Sequence, residues 1–250
     1  MYFGRSAVFH KSSRQQLAAA LRWAARTGWQ SGICNHFSLA VDPGGKAPAG
    51  LLINPQGWHW SEITASSLLL MDDAGNVVEG EGEVEATAFH IHYAIHQEIP
   101  SARCVLHSHP PYCTAIMCTE QGRLEMCHQD SLRFFRRISY DDYFGGIAND
   151  AGEGTRIAGA MQGRPIMFMA HHGITVTGPD IATALDDFYY LENAARYQVL
   201  ACSSGRKLKV LDETRAAELA PGFRHDPGQV RGHFAAIQRI LGNQEPEYLS

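Results

Sequence analysis

Short extended runs crowd the first third of the chain and only later alternate with helices. That order constrains the fold more than any other feature. Residues 37–41 alternate apolar and polar side chains and lead into the turn Asp42-Pro43-Gly44-Gly45. Residues 51–53 form a second strand closed by Pro55 and Gly57, and residues 67–71 a third, followed by a turn over 72–76. Closely spaced runs of this kind predict an antiparallel meander. Ahead of them, residues 14–28 have the periodicity of an amphipathic helix stopped by Gly28. Behind them the pattern predicts helices over 85–97, 111–118, 152–161, 180–202, 213–220 and 228–241. Between these helices, 104–108, 165–170 and 173–177 read as extended, and 130–137 carries no firm period. Hairpins first and alternation later predict an α/β protein with a mixed, mainly antiparallel sheet and helices on its faces.

Composition narrows the function classes. The chain has 250 residues, 45% of them hydrophobic, which suits one large domain with a well-buried core, a short N-terminal extension over 1–13 and a polar tail over 243–250 that is loose or docks on a neighbour. A net charge of −5 gives no basic surface for nucleic acid. No apolar run approaches the roughly 18 residues of a membrane span, and the start Met1-Tyr2-Phe3-Gly4-Arg5 does not read as a secretion signal. Six cysteines without a C-x-x-C pair read as reduced, mostly buried thiols of a cytoplasmic protein.

The thirteen histidines justify a search for a metal site. His107-Ser108-His109 closes the extended run at 104–108. Alternate side chains of a strand share a face, so both imidazoles can aim at one point. Imidazole is a common ligand of borderline-soft metals. A further His171-His172-Gly173 follows the apolar run 166–168. Three neutral imidazoles with an open position make a catalytic rather than a structural centre.

These residues resemble the class II aldolase/adducin-like family. The resemblance is carried by His92, Ile99-Pro100, Val105-Leu106-His107-Ser108-His109-Pro110, Cys34-Asn35-His36-Phe37-Ser38, Ile53-Asn54-Pro55-Gln56-Gly57, Asp141-Asp142-Tyr143 and Ala170-His171-His172-Gly173-Ile174, in order, across roughly residues 14–210. It implies a three-layer α/β/α sandwich on a mixed, mainly antiparallel sheet, assembled as a homotetramer with active sites between subunits. It also implies one divalent metal per subunit, zinc first and manganese or iron as variants, held by His107, His109 and His172. Histidine directly before glycine in the family motif selects His172 over His171.

Two departures matter. Where the family's aldolases carry Glu and its epimerases Asp, this chain has Ala88; the nearest carboxylate is Glu85, expected one turn away on the same helix. The positions of the family's phosphate cradle are Asn35-His36, Gln56-Gly57 and Ala86-Thr87, of which Gly57 and Thr87 fit a phosphate. Phosphorylated sugars are therefore expected to be poor substrates, and Trp58, His59 and Trp60 suggest a flatter, aromatic ligand or a subunit contact.

The expected catalytic groups are Glu85, Tyr112 and Tyr143, and the expected substrate-binding groups Asn35, His36, Gln56, Gly57 and Thr87. His90, His92 and His96 look like a second metal cluster but lack a completing carboxylate, and His92 matches a structural histidine of the family. Arg133, Arg136 and Arg137 could meet a carboxylate substrate, with a solvated or interface face as their default. The resulting expectation is a metal-dependent lyase acting on a small hydroxy-carbonyl or carboxylate compound. Its rivals are a non-catalytic adducin-like oligomeric module and a non-heme iron oxygenase at the same three histidines.

Overall fold

The computed structural model describes residues 9–45, 49–120, 122–146, 151–224 and 226–250. Its eight strands are β1 (His36–Val41), β2 (Gly50–Ile53), β3 (Leu69–Met71), β4 (Val77–Glu79), β5 (Cys104–Ser108), β6 (Ile138–Asp141), β7 (Ile166–Met169) and β8 (Ile174–Gly178). They form one sheet in the order β4-β3-β2-β1-β5-β8-β7-β6. Every pairing is antiparallel except β6 with β7. The expected meander is β1 to β4. Strand β5 then inserts beside β1, so two segments far apart in sequence become neighbours at the centre.

The described residues form seven α-helices: α1 (Lys11–Arg26), α2 (Ala86–Glu98), α3 (Pro111–Met117), α4 (Ala151–Ala160), α5 (Ile181–Ser203), α6 (Glu213–Leu219) and α7 (Pro227–Gln244). Strand alternation sorts them into layers. Phe37, Cys104, Leu106 and Val176 point to the face covered by α1, α3, α5 and α7, in a core with Leu17, Leu21, Phe188 and Leu191. Val105 and Met167 point the other way, to Ile91 and Ile95 of α2 and Ile157 of α4. On that second face, next to Val105, stands His107.

Several expectations need correction. Strands β4 and β6 escape the sequence pattern. The first is a three-residue edge strand with exposed valines, and the second hides Ser139 and Asp141 among its buried residues. Residues Gln129–Phe134 form a 3-10 turn. The tail is neither loose nor turned outward. Ala65 and Ser66 donate backbone hydrogen bonds to Tyr248 and Ser250, Tyr248 is buried, and Arg22 reaches Glu245 (3.0 Å) and Glu247 (2.9 Å). The expected extension over 1–13 shortens at its inner end, because α1 starts at Lys11; residues 1–8 lie outside the described set. All six cysteines are free, but only Cys104 and Cys113 are buried, since the others sit in loops and at helix surfaces. Trp60 is fully buried against Phe37 (4.5 Å between rings), so it is core rather than ligand surface, while Trp58 is exposed.

Candidate metal centre

The centre assembles at the end of β5. His36 of β1 lies directly across from His107, and on the other side His107 faces Thr175 of β8. His109 follows two residues later on the same face. His172 comes from the turn between β7 and β8, where His171 takes a left-handed conformation (φ 57°) and the backbone N–H of His172 donates to the Met169 carbonyl (3.3 Å). This turn exposes His172 to the site and sends His171 to the cavity wall.

One nitrogen from each of His107, His109 and His172 lies within 4.8 Å of the other two, and this is the one such ligand cluster among the described residues. The ring centroids are 4.8–5.4 Å apart. His107 Nδ1–H donates to the Ile174 carbonyl (3.0 Å), which fixes the tautomer and leaves Nε2 as a lone-pair donor. His109 Nε2 is buried without a hydrogen-bond partner, an arrangement that costs free energy unless something fills it. Burial pushes the basicity of all three down, His109 to about 4, so each imidazole is neutral at neutral pH. Three neutral imidazoles, one tautomer fixed and one nitrogen orphaned, fit a divalent cation.

Gly173 explains the histidine–glycine sequence physically. A Cβ at that position would stand 2.5 Å from His109 Cδ2 and 2.5 Å from the Ser108 carbonyl oxygen. Only glycine lets the β7–β8 turn come this close to the end of β5.

The histidines open into a cavity of about 330 Å3. Its walls bring together five other expected site residues: Asn35, His36, Glu85, Thr87 and Tyr143. Glu85 is not on α2 one turn before Ala88, as expected, but is the residue preceding the helix, in extended conformation, with its carboxylate at the cavity. His36 Nε2–H donates to Glu85 (2.7 Å), and Thr87 Oγ1–H donates to its other oxygen (2.7 Å). The bond from His36, followed by that from Thr87, outweighs burial and holds the Glu85 carboxyl down at about 2. Ala88, by contrast, is fully buried among Leu51, Ile53, Leu69 and Met71. The position of the family carboxylate belongs to the apolar core in this chain.

Other expectations fall outside the cavity. Tyr112 packs against the main core with Arg196 over its ring (5.7 Å). Gln56 and Gly57 lie in an exposed turn, where the Gln56 N–H donates to Glu83 (2.9 Å). His92 and His96 both meet Ser38 Oγ (2.6 and 2.8 Å), and His96 Nδ1–H donates to Ala102 (2.6 Å), so they form a buried hydrogen-bond chain, not a metal set. Arg133 pairs with buried Asp186, Arg137 pairs with buried Asp187 (2.7 Å), and Arg136 pairs with Glu213 (2.7 Å), so none of them awaits a substrate. Conversely, the cavity includes Asp141, Glu153 and Arg156, which sequence reasoning missed. The spacing of Glu153 and Arg156 marks a helical ion pair, but not the face it occupies.

The profile of the Class II Aldolase and Adducin N-terminal domain matches residues 15–199. The chain belongs to this family. An aldolase II superfamily protein from Pseudomonas syringae has the same fold, with a TM-score of 0.88 at 30% identity over 98% of both chains. An adducin-related protein of Schizosaccharomyces pombe is 34% identical over 77% of this chain, which spans 57% of that relative's length. Two Streptomyces relatives carry activities in their names. Decarboxylase NovR of Streptomyces niveus is 31% identical over 76% of this chain and 69% of its own. A 4-hydroxy-3-prenylphenylpyruvate oxygenase/4-hydroxy-3-prenylbenzoate synthase of Streptomyces roseochromogenus is 30% identical over 75% of this chain and 67% of its own. Among the described residues no helix is long and apolar enough to cross a membrane.

Proposed function

We propose that this class II aldolase-family chain is a divalent-metal-dependent lyase. It cleaves a carbon–carbon bond, by retro-aldol cleavage or decarboxylation, in a small hydroxy-carbonyl or carboxylate compound. The observation that carries this reading is the convergence of His107, His109 and His172 with His36 and Glu85 on one cavity. The three imidazoles would hold one ion per subunit, with zinc the best match and manganese or iron as alternatives. When bound, that ion supplies Lewis-acid stabilisation of negative charge developing beside a carbonyl or hydroxyl oxygen.

The protein's own residues manage the proton. Glu85 is ionised at neutral pH and accepts the His36 Nε2 proton, so it orients the imidazole. A proton leaving or reaching the substrate moves through His36, with Glu85 as the fixed anion that steadies it. Thr87 spends its hydroxyl on Glu85 and is a positioning residue. Asn35, buried and in a left-handed conformation (φ 80°), delivers His36 to the cavity. Tyr143 at the mouth is the second candidate acid. Away from the histidines, Asp141 and Glu153 outnumber Arg156 on the cavity wall, which disfavours a phosphate dianion there, and we read sugar phosphates as poor substrates. We also read the protein as a cytoplasmic homotetramer with its sites at subunit boundaries, as the family implies.

The relative named as an oxygenase favours a second reading, iron-dependent redox chemistry at the same histidines. The adducin-related relative favours a third, a non-catalytic assembly module. Metal analysis of protein purified without added metal separates them. About one equivalent of zinc, lost in His109→Ala with folding intact, supports the lyase, and iron in its place supports the oxygenase. Less than about a tenth of an equivalent of any divalent metal leaves the assembly module.

A further inference from the structure

The lyase reading uses the histidines and Glu85 and leaves a second polar cluster in the same cavity without a role. Asp141 closes β6, while Glu153 and Arg156 stand one turn apart on α4. Arg156 Nε–H and Nη2–H donate to the two Glu153 oxygens (2.8 Å each), and Nη2–H also donates to Asp141 (2.8 Å). The Tyr143 ring lies against the guanidinium (5.0 Å from its carbon), and the Tyr143 N–H donates to the second Asp141 oxygen (3.2 Å). Nη1 has no hydrogen bond to any described residue, and the side chain is 32% exposed at the cavity wall. The guanidinium is clamped in place with one nitrogen left over.

The chemistry around that nitrogen is selective. An N–H donor stands beside two carboxylates that can accept. A hydroxyl can take the proton of Nη1 and offer its own to a carboxylate. A second carboxylate or a phosphate can only accept, and would bring its charge against Asp141 and Glu153. A purely apolar end would strip water from Nη1 and replace it with nothing. Ile91, Phe144, Ile157 and Met169 form the apolar part of the wall. The volume of about 330 Å3 is at the small end of the roughly 300–1,000 Å3 of ligand pockets, enough for one ring and its substituents.

We infer that the Asp141–Glu153–Arg156 cluster is a specificity element selecting a substrate that carries an uncharged hydroxyl on an apolar body, apart from the group that meets the histidines. This rests on the metal-dependent reading above. The test is calorimetric binding of three probes to the zinc-loaded protein: mandelate, 4-hydroxymandelate and 4-carboxymandelate. All share an α-hydroxy acid and differ at the far end of the ring. The 4-hydroxy probe should bind about tenfold tighter than mandelate, and the 4-carboxy probe more weakly than either. Arg156→Met should abolish the hydroxyl preference while zinc content stays at the wild-type level. Arg156→Lys, which cannot span both carboxylates, should lose most of it and serves if the first variant fails to fold. Equal affinities, tightest binding of the 4-carboxy probe, no binding with zinc retained, or a preference that survives both substitutions would overturn the inference alone. Failure of the wild-type chain to hold zinc would overturn the metal-dependent reading and this inference with it.

Discussion

Gly173→Ala isolates the packing that shapes the centre. The added methyl would lie 2.5 Å from His109 Cδ2 and 2.5 Å from the Ser108 oxygen, whereas unstrained carbon contacts sit at about 3.5 Å. Something must therefore move by roughly 1 Å. The Ser108 carbonyl belongs to β5, which is paired on both sides, so the His109 ring and the β7–β8 turn that carries His172 must give way. Gly173 has no left-handed φ, so the substitution carries no backbone penalty and its effect is steric. Zinc–nitrogen bonds tolerate little displacement, being about 2.0–2.1 Å long. The expected result is a 10- to 100-fold loss of zinc affinity, in the range of lost supporting contacts, with an overpacking cost of about 1–3 kcal/mol. Competition against a chromogenic chelator measures the first, and thermal unfolding of the metal-free protein the second. Gly159→Ala is the control: it lies on the exposed side of α4 with nothing within 4 Å of the new methyl, and should stabilise by about 0.5–1 kcal/mol. Wild-type zinc affinity and Tm in Gly173→Ala would refute the close approach to His109.

Glu192 on α5 accepts backbone N–H bonds from Tyr112 and Cys113 (2.9 Å each), so it caps α3, the helix that begins just after His109-Pro110. Glu192→Ala should cost about 3 kcal/mol in chemical denaturation and lower zinc affinity about tenfold, with Glu192→Gln intermediate; equal loss in both variants would mean the charge does not matter. Burial depresses the folded-state basicity of His96 from 6.5 to about 4. The unfolded chain then binds more protons between these values, so the stability associated with neutral His96 is complete above pH 6.5 and is lost as pH falls towards 4. Metal-free wild type should lose up to about 3 kcal/mol through this window from His96 alone, and His96→Gln should lose correspondingly less. Parallel pH profiles for the two proteins would contradict this.

Much of the fold was readable because it rests on local periodicity. The helices and the strands with apolar alternation were predictable to within a few residues, since each buries one face of its own. Strand β4 was not, because Val77 and Val78 are held by pairing to β3 rather than by burying themselves. The site divides in the same way. His107 and His109 share a face through strand geometry alone. Tyr112 sits three residues past His109, yet α3 turns it into the core.

By itself the sequence determined which residues could bind a cation and which sheet class would carry them, because residue type and spacing are local properties. Only the tertiary structure decided that Glu85, at the mouth of α2, and not a residue at the place of Ala88, faces the histidines. Only it decided that Arg133 and Arg137 serve Asp186 and Asp187 while Arg156 serves the cavity. Those outcomes depend on which strand slides in beside β1 and how closely a glycine turn approaches His109. Such contacts join segments tens of residues apart, and no period along the chain encodes them.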